Sequence, residues 1–261
     1  METMRYQETR KSYKGFIIGF FLFVIIGGGV IYLGIREEKA PQVVGKNNEE
    51  TQSLMNVETT NEESIDVTSI DVKVNENKIT DTENKKMKAN IALPVVTINS
   101  EELTDINNMI NEEYTSRYAS LKKEMESAEN NFTYTVSYNT YDNIVGNKRI
   151  LSITIYQRVI DDATKDTTTD KVETYNIDLV TKKMISQSDV LFDILGKDYN
   201  TLLKNSIKNY VVSNSMMSEE DFNYTPTGLE NFYIKDSKLH IILNENELVD
   251  KKYGVIDITI E

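Results

Sequence analysis

The residues that could do chemistry in this chain are few. Its 261 residues hold one histidine, His240, and no cysteine. Without a thiol there is no cysteine nucleophile, disulfide, lipidated cysteine anchor or thiolate metal site, and one imidazole cannot assemble a zinc centre of the usual nitrogen and sulfur kind. His240 falls in an alternating run in which Leu239, Ile241 and Leu243 point one way and His240 with Ile242 the other. A Ser-His-Asp relay would need its serine presented on a tight turn, and no GxSxG sequence supplies one. His240 is therefore expected to be a half-buried strand position rather than a base. The acids Asp161, Asp162, Asp166 and Asp170 invite a calcium reading, because hard cations take several oxygen ligands. Their spacing matches no calcium loop and the segment lacks the glycine such a loop needs, so a polar hairpin connection is expected. A carboxylate pair for glycoside cleavage could be drawn from any of the acids, and sequence selects none. No glycine-rich phosphate loop occurs outside the apolar segment described below. Tyr134, Tyr138, Tyr141, Tyr156 and Tyr175 could line a surface that grips a sugar or a protein, since tyrosine joins an apolar ring to a hydroxyl; their alternation equally predicts sheet residues with one face in the core. No catalytic, cofactor-binding or metal-ligating residue is assigned, no cofactor is expected, the ligand-binding residues stay open, and the chain is expected not to be an enzyme.

The elements that must position these residues begin with an uninterrupted apolar run, Phe16 to Ile35, preceded by Arg5, Arg10, Lys11 and Lys14. Its length suits one membrane-spanning helix, and the basic cluster places the N-terminus in the cytoplasm. A cleaved signal peptide is the alternative, with Phe16 to Ile26 as its apolar region and Gly27 or Gly29 at the cut; the run's continuation to Ile35 favours a span. The expectation is a single-pass protein of the cell membrane: residues 1–15 a short cytoplasmic tail, 16–35 the helix, and the remainder extracytoplasmic. Beyond Gly15 there are 25 basic against 40 acidic side chains, a net charge of −15, which repels nucleic acid and favours cationic partners.

Residues 36–88 carry no aromatic side chain and are rich in Asn, Glu, Thr, Ser and Lys. Such a stretch buries too little apolar surface to offset its ordering entropy, so a flexible polar stalk is expected. Within it Ile65, Val67, Ile70, Val72 and Val74 alternate loosely with polar residues, a weak strand signal. Residues 89–261 suffice for one compact domain, with a possible division into 89–160 and 170–261. Ile91 to Ile98 reads as a strand that Pro94 confines to an edge or a bulge. Asn99 with Glu102 reads as a helix cap, and Leu103, Ile106, Ile110, Tyr114, Tyr118, Leu121 and Met125 form the buried stripe of a long helix. Alternation over Phe132 to Tyr138 and Leu151 to Ile155 predicts a hairpin around Asn143 to Asn147, followed by a strand from Val172 to Val180 and a turn at Thr181 to Lys183. A second amphipathic helix, with Tyr199, Leu202, Leu203, Ile207, Tyr210 and Val211 on one face, precedes strands at Phe232 to Leu243 and Val255 to Ile260. Helix then strands, twice over, defines an α+β domain on antiparallel sheet.

The block Tyr175-Asn176-Ile177-Asp178-Leu179 with Thr181 and Lys183, then Asp189 and Leu191-Phe192, a helix, Asn231-Phe232-Tyr233-Ile234, Leu239 to Leu243, Glu247-Leu248 and Gly254 before a last strand, resembles the extracytoplasmic domain family of the anti-sigma-V factor (RsiV). A similar domain lies ahead of the catalytic part of a peptidoglycan deacetylase (PdaC). The likeness spans roughly Ile91 to Ile260. This chain departs where the family has a glycine- and histidine-bearing turn, here Asp161 to Asp170, and at a late Pro-Tyr pair, here Asp250 and Lys251. The resemblance implies an envelope sensor that binds a lysozyme-like cationic protein or a wall component such as peptidoglycan, and that signals through an intramembrane or signal protease. Two alternatives stand beside it: a true anti-sigma factor using Met1 to Gly15, about 22 Å if helical, and an enzyme or accessory domain of wall modification.

Overall fold

The computed structural model describes residues 66–260. Among them no helix is long and apolar enough to cross a membrane. The expected tail, span and most of the stalk lie outside the described residues.

Ordered chain begins earlier than composition suggests. After a 3-10 turn at Val67–Ser69, β1 (Val72–Asp81) pairs antiparallel with β2 (Met87–Ile98), from Val72↔Ile98 to Asp81↔Ala89. Residues 72–88, expected to belong to the stalk, are thus part of the domain. Val72, Val74 and Ile79 bring little apolar surface of their own, but they pack against the core that β2 supplies through Ile91, Leu93, Val96 and Ile98. Arg149 fixes the entry of the chain, its Nη1 donating to the carbonyls of Val67 (3.1 Å) and Ile70 (2.8 Å) while Nη2 binds Asp142 at 2.7 Å.

β2 is an interior strand, not the edge that Pro94 predicted. On its far side it runs parallel to β4 (Phe132–Val145), but that ladder ends at Ile91↔Val136. Pro94 stands past its end, where no N–H is required. Further along, the buried Asn107 takes the place of a neighbouring strand: its Oδ1 accepts from Val96 N (2.9 Å) and its Nδ2 donates to Val96 O (3.1 Å). Asn99 is no helix cap. Asn99 and Ser100 hold φ of 50° and 68° in the two-residue turn between β2 and β3 (Glu101–Glu102), a conformation asparagine tolerates. Helix α1 (Thr104–Glu124) starts from Leu103 without a side-chain cap, and lays Ile106, Ile110, Tyr114, Tyr118 and Leu121 on the sheet as expected.

β4 and β5 (Lys148–Asp161) form the expected hairpin, turning at Gly146–Asn147, where Gly146 holds φ of 60°. β5 then pairs with β6 (Thr167–Asp178) from Ile150↔Asp178 to Ile160↔Thr167, so no division between 160 and 170 exists; it would cut a continuous ladder. The short β7 (Lys183–Met184) completes a seven-stranded, curled and mostly antiparallel sheet, ordered β1-β2-β4-β5-β6-β7 with β3 beside β2.

A second core forms where two helices stand in place of the one expected. α2 (Gln187–Leu195) is capped by Ser186 and ends at Gly196, whose φ of 78° a side chain would resist; α3 (Tyr199–Ser213) buries Leu203, Ile207 and Val211 but leaves Leu202 exposed. They cover a three-stranded sheet of β8 (Asn231–Lys235), β9 (Lys238–Leu243) and β10 (Ile256–Ile260), ordered β10-β9-β8. The single strand expected over Phe232 to Leu243 is two, folded at Asp236–Ser237.

β8 is an edge strand whose free backbone groups are taken up by side chains of the large sheet. Phe232 N donates to Thr174 Oγ1 (3.0 Å), Phe232 O accepts from Asn176 Nδ2 (2.8 Å), Ile234 N donates to Ser152 Oγ (3.0 Å) and Ile234 O accepts from Asn143 Nδ2 (2.9 Å). Ser152 Oγ in turn donates to Asn176 Oδ1 at 2.6 Å. Asn176→Ala would take the donor from the buried Phe232 carbonyl and the acceptor from the buried Ser152 hydroxyl together, and is expected to cost about 2–4 kcal/mol in urea unfolding. A loss below about 0.5 kcal/mol would mean that β8 does not depend on this row.

Candidate functional site

The residues that follow β6 build a concavity of about 710 Å³ between the β6–β7 turn and the two helices. Asp178, at the end of β6, accepts from the backbone N–H of Val180 (2.9 Å) and Thr181 (3.3 Å) and so shapes the turn. Ser186 caps α2 through the N–H of Asp189, and its hydroxyl donates to Asp189 Oδ2 at 2.6 Å. Asp193, one turn further on, is paired with Lys148. Between these polar groups Phe192 is 51% exposed and Met184 41% exposed. Two large apolar side chains thus stand exposed inside a rim of aspartates, lysines and serine. The histidine is not among its lining residues.

His240 is half-buried on the face of the small sheet that carries Tyr233 and Ile242, opposite Leu239, Ile241 and Leu243, as its alternation predicts. Its Nδ1 is 3.0 Å from Asp257 Oδ1, its ring stacks on Tyr233 with centroids 4.6 Å apart, and Tyr233 OH donates to Asp257 Oδ2 at 2.5 Å. Burial, then that hydrogen bond, pushes the Tyr233 phenol well above its usual range. Thr259 Oγ1 approaches the same Nδ1 at 3.5 Å, so the nitrogen facing Asp257 is also the one facing this hydroxyl, which is not the order of a Ser-His-Asp relay.

Three of the four aspartates of the β5–β6 connection are engaged through their side chains, and Asp166 through its backbone, whose N–H donates to Thr164 Oγ1 at 3.2 Å. Asp161 accepts from the N–H of Ala163 and Thr164 and from Asn130, Asp162 from Thr133 and Lys88, and Asp170 pairs with Arg158. The tyrosines divide between the two faces. Tyr134 donates to Gln157 (3.1 Å), Tyr138 to Asn75 O (3.4 Å) and Tyr175 to Glu113 (2.7 Å) on the α1 side. Tyr141 and Tyr156 lie on the other side, with Tyr141 stacked on Tyr233 at 5.1 Å and both packed against Val172 and Ile242.

One cluster had no signal in the sequence. Glu113 of α1 and Glu173 of β6, sixty positions apart, share a hydrogen bond; Tyr114 donates to Glu173 (2.7 Å) and Lys171 pairs with it. Burial, then the charge of Glu173, raises Glu113 above the usual glutamate range. Burial also opposes ionisation of Glu173, but Lys171 and the hydrogen bonds from Tyr114 and Glu113 outweigh it and hold Glu173 lower. Of the two, Glu113 is the one pushed toward its neutral form.

No family model and no curated protein matches the chain. Among solved structures it is similar to a DUF3298 family protein from Pseudomonas aeruginosa PAO1, at 12% identity over 73% of this chain and 90% of that one, with a TM-score of 0.49. It is also similar to a DUF3298 family member from Bacteroides fragilis, at 17% identity over 74% and 90%, with a TM-score of 0.43. Likeness at this level settles neither family nor function, and the architecture rests on the chain's own strand pairing.

The carboxyl pair sets a pH dependence. Because the folded state holds Glu113 above the unfolded value of 4.5, its contribution to stability is complete below that value and is lost as pH rises through the raised one; Glu173 contributes in the opposite sense, losing its share on acidification. Glu113→Gln keeps an acceptor for Tyr175 and gives Glu173 a permanent donor. It is expected to raise the melting temperature relative to the parent at about pH 7 and to bring no gain at about pH 4. Parallel melting profiles across that range would show that the pair shares no proton.

Proposed function

We propose that this protein is a membrane-anchored receptor of the cell envelope, held by Phe16 to Ile35, whose extracytoplasmic domain captures a cationic extracellular protein of the lysozyme kind. One observation carries the reading: five residues of the resemblance, Asp178, Thr181, Lys183, Asp189 and Phe192, together line the concavity between the β6–β7 turn and the two helices. Phe192 and Met184 provide apolar anchors, three aspartates stand around them, and the domain as a whole is strongly acidic. Aromatic anchors with a charged rim concentrate binding energy and steer an oppositely charged partner. Capture without catalysis, and release of a signal by proteolysis of the anchor, complete the proposal.

The test is calorimetric titration of the full chain in detergent with a cationic lysozyme at about 0.15 M salt, where long-range attraction is largely screened. Stoichiometric binding is expected, and Phe192→Ala is expected to weaken it by about 2 kcal/mol, roughly 30-fold. Binding that vanishes with added salt, or that Phe192→Ala leaves unchanged, would remove the groove from the account.

A further inference from the structure

The same polar face of the large sheet is used over one half of its length and open over the other. In the first half Asn143, Ser152, Thr174 and Asn176 hold the backbone of β8. The row continues along the same strands as Thr135, Ser137 and Asn139 of β4 with Tyr156 and Arg158 of β5, which line a concavity of about 310 Å³. Thr154, the β5 residue between the two halves, is buried with no hydrogen-bond partner for its hydroxyl among the described residues. No other described residue engages the hydroxyls of Thr135, Ser137 or Tyr156. Arg158 is held in place by a fork on Asp170, with Nε and Nη2 each 3.1 Å from one carboxylate oxygen.

We propose that this open half binds a pyranose glycan, one or two rings at a time. Each feature of the lining answers a feature of a sugar. Hydroxyls that both donate and accept suit the ring hydroxyls, a carboxamide and a guanidinium add directional hydrogen bonds, and the Tyr156 ring offers an apolar face to ring C–H groups. The other side of Tyr156 packs into the aromatic seam with Tyr141 and Tyr233, which fixes the ring in advance of binding. One cation and no carboxylate line this concavity, although the domain is acidic overall, so the site takes neutral or anionic sugars and not the cationic partner of the groove. An extended peptide fits less well. β8 is held by two carboxamides and two hydroxyls that alternate as donors to its C=O and acceptors from its N–H groups, whereas the open half has one carboxamide among mainly hydroxyl groups and does not repeat that alternation. This site shares no lining residue with the groove and stands whether or not the capture reading does.

The experiment is titration of the full chain, in a detergent without a sugar headgroup, with a neutral hexamer of N-acetylglucosamine, an anionic hexuronate, and a peptide with the sequence of β8. Binding is read as heat by calorimetry, because emission would be shared among the chain's 15 tyrosines. Saturable binding of at least one saccharide is expected at roughly millimolar or tighter affinity, weakened at least about tenfold by Arg158→Ala and by Tyr156→Ala, with Phe192→Ala unchanged. If Tyr156→Ala lowers the melting temperature, Ser137→Trp, which fills the concavity from an exposed position, provides the same test. The proposal is overturned if neither saccharide binds, if only the peptide binds, or if Arg158→Ala and Ser137→Trp leave saccharide binding unmoved.

Discussion

An edge strand laid across the face of another sheet has to find partners for its unpaired backbone groups, and in this domain side chains provide them. Asn143, Ser152, Thr174 and Asn176 come from three strands, β4, β5 and β6, and meet the N–H and C=O groups of Phe232 and Ile234 in turn. Asn244 does the same for Val172, accepting from its N–H at 2.7 Å and donating to its carbonyl at 3.0 Å. All but the part-buried Phe232–Thr174 bond are buried, so each of these left unmade would leave a desolvated polar group rather than a solvated one. They fix where the small sheet crosses the large one and protect an edge that would otherwise template further pairing.

The rest of the architecture follows from that crossing. The large sheet carries two unlike faces: one is an apolar floor under α1, and the other is a polar row that is half covered by β8. The small sheet likewise has α2 and α3 on one side and the aromatic seam of Tyr141, Tyr156 and Tyr233 on the other. Because β6 runs straight into the turn before α2, the crossing also sets the geometry of the groove, with Asp178 closing the strand and Phe192 facing out one helix later. The groove and the open half of the polar row are both what the packing leaves uncovered.

Local pattern made much of this legible. The α1 stripe, the β4–β5 hairpin, the strand position of His240 and the hairpin role of Asp161 to Asp170 all follow from periodicity or turn chemistry within a short window. What escaped depends on partners distant in sequence. β1 looks like linker because its apolar content is meagre until β2 lies beside it. Pro94 signals an edge because the early end of the β4 ladder cannot be seen from β2 alone. Asn99 has two uses, helix cap and left-handed turn, and only pairing of β2 with β3 selects the second. The groove residues were visible as a family-like block but not as a lining, and the Glu113–Glu173 pair joins residues that no spacing rule connects.

The central claim is that the groove between the β6–β7 turn and α2 is where an extracellular protein is captured. Hydrogen exchange of the full chain with and without a cationic lysozyme tests it most directly. Slowed exchange confined to residues 178–193 is the predicted result. Unchanged exchange there, or protection confined to other surfaces, would contradict it.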